Sequence, residues 1–160
     1  MNKIISTEKA VQIAQALHIK KLRIVLVGGC FDILHLGHIQ FLTKAKAKGD
    51  ILLVFIESDE NIKRLKGPNR PINTQRDRAK LLASLEIVNY VILLKSMMPN
   101  SEYDRLVIEI KPNIIATTKG DPNRLHKERQ ADLIGGKVID VTLHVQDQST
   151  TNLLKILQTT

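Results

Sequence analysis

Short, unbroken apolar runs recur along the chain at residues 24–27, 51–56, 90–94, 114–116 and 138–141. Each is continuous rather than alternating, the pattern of a strand covered on both faces of a parallel sheet. Between the runs the apolar spacing lengthens to that of a helix. Tyr103, Leu106, Val107 and Ile110 fall at i, i+3, i+4 and i+7, with Pro112 to end the stripe. Leu81, Leu82 and Leu85 make a similar stripe behind Thr74, a fitting N-cap. A further helical pattern runs over residues 39–48, and Ser6 or Thr7 caps another through about Leu17. The alternation predicts a single Rossmann-like, doubly wound α/β domain of about five strands over residues 21–160. Residues 1–20 are expected to form an N-terminal helical appendage, packed on the domain and without chemistry of its own. Residues 63–74, with two prolines, and residues 118–126 are expected to be loops.

Ligands of such sheets bind beyond the carboxyl ends of the strands. The first predicted strand, residues 24–27, runs into Gly28-Gly29-Cys30-Phe31-Asp32-Ile33-Leu34-His35-Leu36-Gly37-His38 and then into a helix. The free N–H groups and the dipole of that helix favour an anion at the turn. Gly37 allows close backbone approach, and His35 and His38 add imidazole donors, so the turn is expected to bind phosphate. Two other uses of the histidines are capping of the helix and, from their His-x-x-His spacing, zinc binding. No Cys pair and no His-Glu-x-x-His accompanies them. Ser149-Thr150-Thr151 opens the last predicted helix, with Leu153, Leu154 and Leu157 as its core stripe. Those hydroxyls read either as an ordinary N-cap or as a second phosphate cradle.

Composition narrows the class. A chain of 160 residues, 43% hydrophobic and 25% charged, suits one globular domain with a sizeable core. No apolar run approaches the roughly 20 residues of a membrane span. Lys3, Glu8 and Lys9 interrupt any signal-peptide core. The lone Cys30 rules out an internal disulfide and points to a reducing cytoplasm, with a packing role ahead of a reactive thiol. The net charge of +8 raises nucleic-acid binding, but aromatics are 3%, Trp is absent and the basic residues are scattered. The excess charge suits an enzyme whose substrates and products are polyanions.

The segment Gly29-Cys30-Phe31-Asp32 with His35, Gly37 and His38 resembles the signature of the cytidylyltransferase-like nucleotidyltransferases. Downstream, Arg64-Leu65-Lys66-Gly67-Pro68-Asn69-Arg70-Pro71-Ile72-Asn73, Asp77-Arg78-Ala79, Leu85-Glu86-Ile87-Val88-Asn89-Tyr90-Val91 and Ser149-Thr150-Thr151-Asn152-Leu153-Leu154 resemble the family in order and spacing. The closest subfamily resembles the adenylyltransferase half of the bifunctional heptose-phosphate enzymes of lipopolysaccharide core synthesis. The resemblance implies transfer of a nucleoside monophosphate, AMP from ATP, onto a small phosphate acceptor such as a heptose 1-phosphate, with release of pyrophosphate. It implies catalytic roles for His35, His38 and Lys66, the last on a mobile basic loop. It implies nucleotide or phosphate contact by Gly29, Cys30, Phe31, Gly37, Arg70, Arg78, Lys119, Ser149, Thr150 and Thr151. Asp32 and Asp121 fall on the acceptor side, with Asp32 alternatively holding the turn. Magnesium is expected as the counter-ion of the triphosphate, and neither nucleic acid nor membrane as a partner. Relatives commonly form homodimers.

Two departures bear on base and acceptor. Glycerol-phosphate-type cytidylyltransferases carry Arg-Tyr-Val-Asp where this chain has Glu86-Ile87-Val88-Asn89, and Arg-Thr-Glu-Gly ahead of the terminal Ser-Thr-Thr, where this chain has residues 144–148. Missing both arginines favours ATP over CTP. The heptose pattern Lys-Gly-Gly-Asp-Tyr becomes Thr118-Lys119-Gly120-Asp121-Pro122, and Asn-Gly-Cys-Phe-Asp becomes Gly28-Gly29-Cys30-Phe31-Asp32. The alternatives are a cytidylyltransferase for glycerol 3-phosphate or a similar alcohol phosphate, a flavin-type adenylyltransferase, and a non-catalytic nucleotide- or nucleic-acid-binding protein.

Overall fold

In a computed structural model that describes residues 2–143 and 150–158, every predicted apolar run is a strand. The strands are β1 (Ile4–Ile5), β2 (Ile24–Gly29), β3 (Ile51–Ile56), β4 (Tyr90–Leu93), β5 (Ile114–Thr118) and β6 (Lys137–Thr142). They form one sheet in the order β1-β4-β3-β2-β5-β6, and every pairing is parallel. The chain moves outward from β2 through β3 to β4, then returns past β2 to β5. That reversal opens a crevice at the carboxyl ends of β2 and β5, where open α/β sheets bind ligands.

The helices are α1 (Thr7–Ile19), α2 (Leu36–Lys46), α3 (Asp59–Lys66), α4 (Gln75–Ala83), α5 (Asn100–Ile110), α6 (Arg124–Ile134) and α7 (Thr150–Gln158). Alternate residues of each strand face opposite layers. Leu26, Leu53 and Phe55 pack with Ala14 and Leu17 of α1, Val107 and Ile110 of α5 and Ala131 of α6. Val25, Val27, Leu52 and Val54 pack with Leu42 and Ala45 of α2 and Ala79 and Leu82 of α4. Each Val, Leu, Ile or Phe among them contributes about 1.5–3 kcal/mol on burial, which is why the apolar runs decide the architecture.

The differences from expectation have local causes. The N-terminal segment packs on the domain, as expected, and also adds a strand to it. β1 is too short to show a period, but it pairs with β4, and the Val91 N–H donates to the Lys3 carbonyl at 2.8 Å. The first half of the expected loop at residues 63–74 is helical. α3 is capped by the Ser58 side chain and stopped by Gly67 at φ 101°, and of its residues only Ile62 is buried, so it lacks an apolar stripe. α4 begins at the expected cap, since the Thr74 side chain accepts from the Asp77 N–H, but its buried face is Arg78, Ala79 and Leu82. Leu81 is exposed, because Arg78 takes the slot facing the sheet. α6 begins inside the loop expected at residues 118–126. In α7 Leu153 and Leu154 are half-buried, whereas Leu157 is 71% exposed and is no part of a core stripe. No helix among the described residues is long and apolar enough to cross a membrane.

Candidate phosphate-binding active site

β2 stops at Gly29, and residues 30–35 turn its carboxyl end into the head of α2. Phe31 adopts φ 48°, a left-handed conformation rare for an aromatic residue, and its ring folds back over Gly29. A Cβ at residue 29 would lie 2.9 Å from that ring, so only glycine fits beneath it. The buried Phe31 ring also packs at 5.3 Å from the His38 ring.

His35 is the N-cap of α2. Its Nδ1 accepts the Gly37 N–H at 3.1 Å, which leaves Nε2 to carry the proton of the neutral ring. His35 and His38 stack with centroids 3.9 Å apart. Burial, then the neighbouring His35 and Lys66 charges, lower the His38 pKa to about 4, against a smaller opposing pull from the Ile33 carbonyl. Burial also lowers the pKa of His35. Both rings are therefore neutral N–H donors at neutral pH. His38 Nδ1 is buried without a hydrogen-bond partner.

A cavity of about 500 Å³ opens over this turn. Gly29, Cys30, Phe31, Asp32, His35, Gly37, His38, Lys66, Arg70, Asp121, Thr150 and Thr151, all expected at the site, line it together. Thr150 Oγ1 donates to the Ile33 carbonyl at 3.4 Å, which seats the head of α7 beside the turn. Ser149 lies outside the described residues. Burial pushes the Cys30 thiol up in pKa, as befits a packing residue rather than a nucleophile.

The basic residues differ from the expected mobile loop. Lys66 ends α3, held by a helix rather than by a loop. Arg70 is buried: its Nε donates to Asp32 Oδ2 at 2.7 Å, and its Nη2 is buried with no partner. Asp32 also accepts the N–H groups of Ile72 and Asn73, and its carbonyl accepts from Asn73 Nδ2. Burial alone would raise the Asp32 pKa, but those two N–H donors and Arg70 hold it below the usual range. Asp32 thus ties residues 70–73 to the turn, the holding role weighed for it, and its carboxylate is occupied.

Two expected phosphate ligands are placed elsewhere. Arg78 is fully buried and donates to the carbonyls of Asn73, Cys30 and Glu57 and to Asp59. It braces the turn from behind and does not line the cavity, because its donors are spent on backbone that α4 brings close. Lys119 is exposed and off the cavity wall, on the turn where its N–H donates to the Thr142 carbonyl at 2.9 Å.

The cavity also has walls that the sequence reading did not single out. Gln40, Phe41 and Lys44 line it from α2, at i+3, i+4 and i+7 from Gly37, a spacing that could have flagged them. Thr117, Thr118, Lys127, Thr142 and Leu143 close the β5–β6 side, and no motif marks them. Gly28 makes room for Tyr103, whose hydroxyl would lie 3.2 Å from a Cβ at residue 28.

The family model described as cytidylyltransferase-like matches residues 26–152. The bifunctional protein HldE of Aliarcobacter butzleri is 38% identical over 154 residues, 94% of this chain and 30% of that protein. HldE of Nitratiruptor sp. is 52% identical over 103 residues, 64% of this chain and 21% of that protein. The chain therefore spans less than a third of the length of these relatives. Among solved structures, a lipopolysaccharide core biosynthesis protein from Thermoplasma volcanium matches with TM-score 0.61 and 30% identity, over 79% of this chain and 99% of that one. A pantoate-beta-alanine ligase from Francisella tularensis, complexed with beta-gamma ATP and beta-alanine, shares the fold at TM-score 0.67 and 18% identity, over 99% of this chain and 77% of that one. The matched stretch runs from within β2, through the histidine turn and the cavity walls, into α7, and the chain belongs to the cytidylyltransferase-like family of nucleotidyltransferases.

Proposed function

We propose that the chain transfers AMP from ATP to the phosphate of a sugar 1-phosphate, a heptose 1-phosphate above all, and releases pyrophosphate. The observation that carries this reading is the stacked, neutral His35–His38 pair at the head of α2, inside a cavity that Lys66, Arg70, Thr150 and Thr151 also line. An acceptor phosphate oxygen attacks the α-phosphorus in line, and the bond to the β-phosphate bridging oxygen breaks. No protein nucleophile is required, so catalysis rests on positioning and on stabilising charge at the α-phosphate and the departing pyrophosphate. The α2 N–H groups and the imidazole N–H donors serve the first, and Lys66 with the head of α7 serves the second.

Magnesium enters bound to the triphosphate as part of that substrate. Among the described residues no group of three His, Cys, Asp or Glu side chains gathers as a metal cage. The heptose acceptor is supported by the similarity to HldE proteins and to a lipopolysaccharide core biosynthesis protein. The reaction requires ATP, which fits the reducing cytoplasm expected from the single cysteine. The test is pyrophosphate release from ATP, CTP, GTP and UTP with magnesium, with D-glycero-β-D-manno-heptose 1-phosphate or glycerol 3-phosphate as acceptor. Release that depends on ATP and the heptose phosphate is expected. Release dependent on CTP and glycerol 3-phosphate would replace this reading by the cytidylyl one.

A further inference from the structure

Gly28 gives up a side chain at the cavity wall, and Tyr103 of α5 fills the space. A Cβ at residue 28 would lie 3.2 Å from the Tyr103 hydroxyl and 3.8 Å from Phe55 Cβ. Phe55 is the β3 partner of Gly28, and the Tyr103 ring meets the Phe55 ring edge-on, with centroids 5.6 Å apart and planes at 89°. The phenol is thereby fixed over Gly28, on the line along which a side chain there would leave the backbone. Gly28 lines the cavity, so the hydroxyl stands at its wall. Gly28 lacks the positive φ of Gly67, Gly120 and Gly135, so close approach rather than backbone conformation demands glycine here. Burial, then the charges of Glu57, Asp104 and Asp121, push the Tyr103 phenol up in pKa, and no hydrogen bond from the described residues engages it. Those carboxylates are engaged elsewhere: Glu57 by the Ser58 N–H, Asp104 by Arg129 and Gln130, and Asp121 by Lys127 and Thr117. Tyr103 therefore keeps its proton and has it to give.

We propose that Tyr103 is a specificity-determining residue for the acceptor, its hydroxyl replacing the side chain that residue 28 lacks, an inference that rests on the nucleotidyl-transfer reading above. The signature common to the family begins at Gly29, whereas the heptose-type pattern sets an asparagine ahead of it, where this chain has Gly28. A position outside the common signature and inside the pattern of one acceptor class bears on the acceptor. An asparagine there presents a short, neutral polar group. The Tyr103 hydroxyl presents another at the same place, delivered by α5 instead of β2. Loss of the side chain at residue 28 therefore neither enlarges the cavity nor strips its wall of a donor. The three carboxylates around the phenol make this corner unfavourable for phosphate, so it faces the uncharged part of the acceptor.

The test is steady-state pyrophosphate release by wild type, Tyr103→Phe, Gly28→Asn and Gly28→Asn/Tyr103→Phe. ATP is varied first, then whichever acceptor supports release, D-glycero-β-D-manno-heptose 1-phosphate or glycerol 3-phosphate. Tyr103→Phe keeps the ring against Phe55 and is expected to raise the KM for the acceptor about tenfold, the loss of one neutral hydrogen bond, with the KM for ATP unchanged. Gly28→Asn alone drives a Cβ against the hydroxyl and should lose more. The double variant frees that space for the amide and should bring the acceptor KM back from the Tyr103→Phe value towards wild type. Should Gly28→Asn fail to fold, Tyr103→Phe and the double variant carry the comparison. A wild-type acceptor KM in Tyr103→Phe, or a change that falls on ATP instead, would overturn the proposal. So would a double variant no better than Tyr103→Phe, which would leave the phenol a packing residue. Wild type that releases no pyrophosphate with either acceptor would instead sink the transfer reading, and the proposal with it.

Discussion

Asp32 and Arg70, 38 positions apart, meet at 2.7 Å through a single nitrogen, Nε, which leaves Nη2 of Arg70 buried without a partner beside the cavity. A buried guanidinium with an unused donor at a phosphate site is matched by a phosphate oxygen. Arg70→Lys keeps the charge but cannot serve Asp32 and a ligand from two nitrogens of one fork. It should cut turnover about 10²-fold, measured as pyrophosphate release, while circular dichroism stays unchanged. Asp32→Asn leaves Arg70 unpaired and is expected to cost about 3–5 kcal/mol in urea unfolding. Wild-type turnover in a folded Arg70→Lys protein would reduce Arg70 to a strut for the turn.

The histidine pair is the next test. His35→Ala and His38→Ala each remove a neutral N–H donor from the site proposed above to hold the α-phosphate. Each should lower kcat about 10²–10³-fold, the usual loss for one such donor, equivalent to about 2.7–4 kcal/mol. His35→Ala also removes the cap that accepts the Gly37 N–H, which should lower stability by about 1 kcal/mol. Near-normal turnover in either folded variant would remove the pair from catalysis.

Protonation gives an independent readout. The unfolded chain protonates at residue 38 near the ordinary 6.5, whereas burial beside His35 and Lys66 delays this in the fold to about 4. Between those values the unfolded state binds more protons, so folding stability falls as pH drops from 6.5 towards 4 and levels off below. A bound triphosphate favours the imidazolium and should draw the His38 pKa back up. Titration of ATP into the protein at pH 5.5, in buffers of different ionisation enthalpy, should therefore show proton uptake that His38→Asn loses.

Legibility followed burial. The strands and the turn could be read because Ile24-Val25-Leu26-Val27 is constrained by sheet packing, and Gly28-Gly29 with His35, Gly37 and His38 marks a tight strand-to-helix turn. Arg78 was misplaced because a motif records that an arginine is needed but not which way it points. Its guanidinium serves three backbone carbonyls behind the turn. Lys127 went unmarked because a lone lysine in a polar helix is indistinguishable in sequence from a solvated one. Only the fold shows it inside the cavity with Asp121.

Lys66 ends α3 and is followed by Gly67 at φ 101°, so the helix stops where its last side chain reaches the cavity. Lys66→Ala should lower kcat more than it raises the KM for ATP, because its charge matters most as pyrophosphate departs. Gly67→Ala should act on the same step from the backbone. A Cβ there meets no atom within 4 Å, so any loss comes from the strained φ, about 1 kcal/mol or more of stability. Lys66→Ala kinetics equal to wild type would make Lys66 a surface charge.

Base choice turns on which donors face the cavity. A site that reads cytosine must satisfy its carbonyl oxygen and N3, and buried donors left unpaired penalise the wrong base. Glu86, which stands where an arginine of the cytidylyl pattern would be, is exposed and does not line the cavity, so its identity carries no information about the base. The other arginine-bearing segment corresponds to residues 144–148, outside the described residues. Among the described residues the one arginine on the cavity wall is Arg70, and Asp32 already holds it. What faces the cavity instead is Gln40, Thr117, Thr118 and Thr142, neutral groups that place no fixed guanidinium against a pyrimidine edge. ATP should therefore support pyrophosphate release at least about tenfold faster than CTP at equal concentration, a gap of about 1.4 kcal/mol. Introducing a guanidinium on the wall, as Gln40→Arg, should narrow that gap. Faster release from CTP with the wild-type chain, across both sugar and glycerol phosphates, would overturn the adenylyl assignment and leave the in-line mechanism at the histidine turn intact.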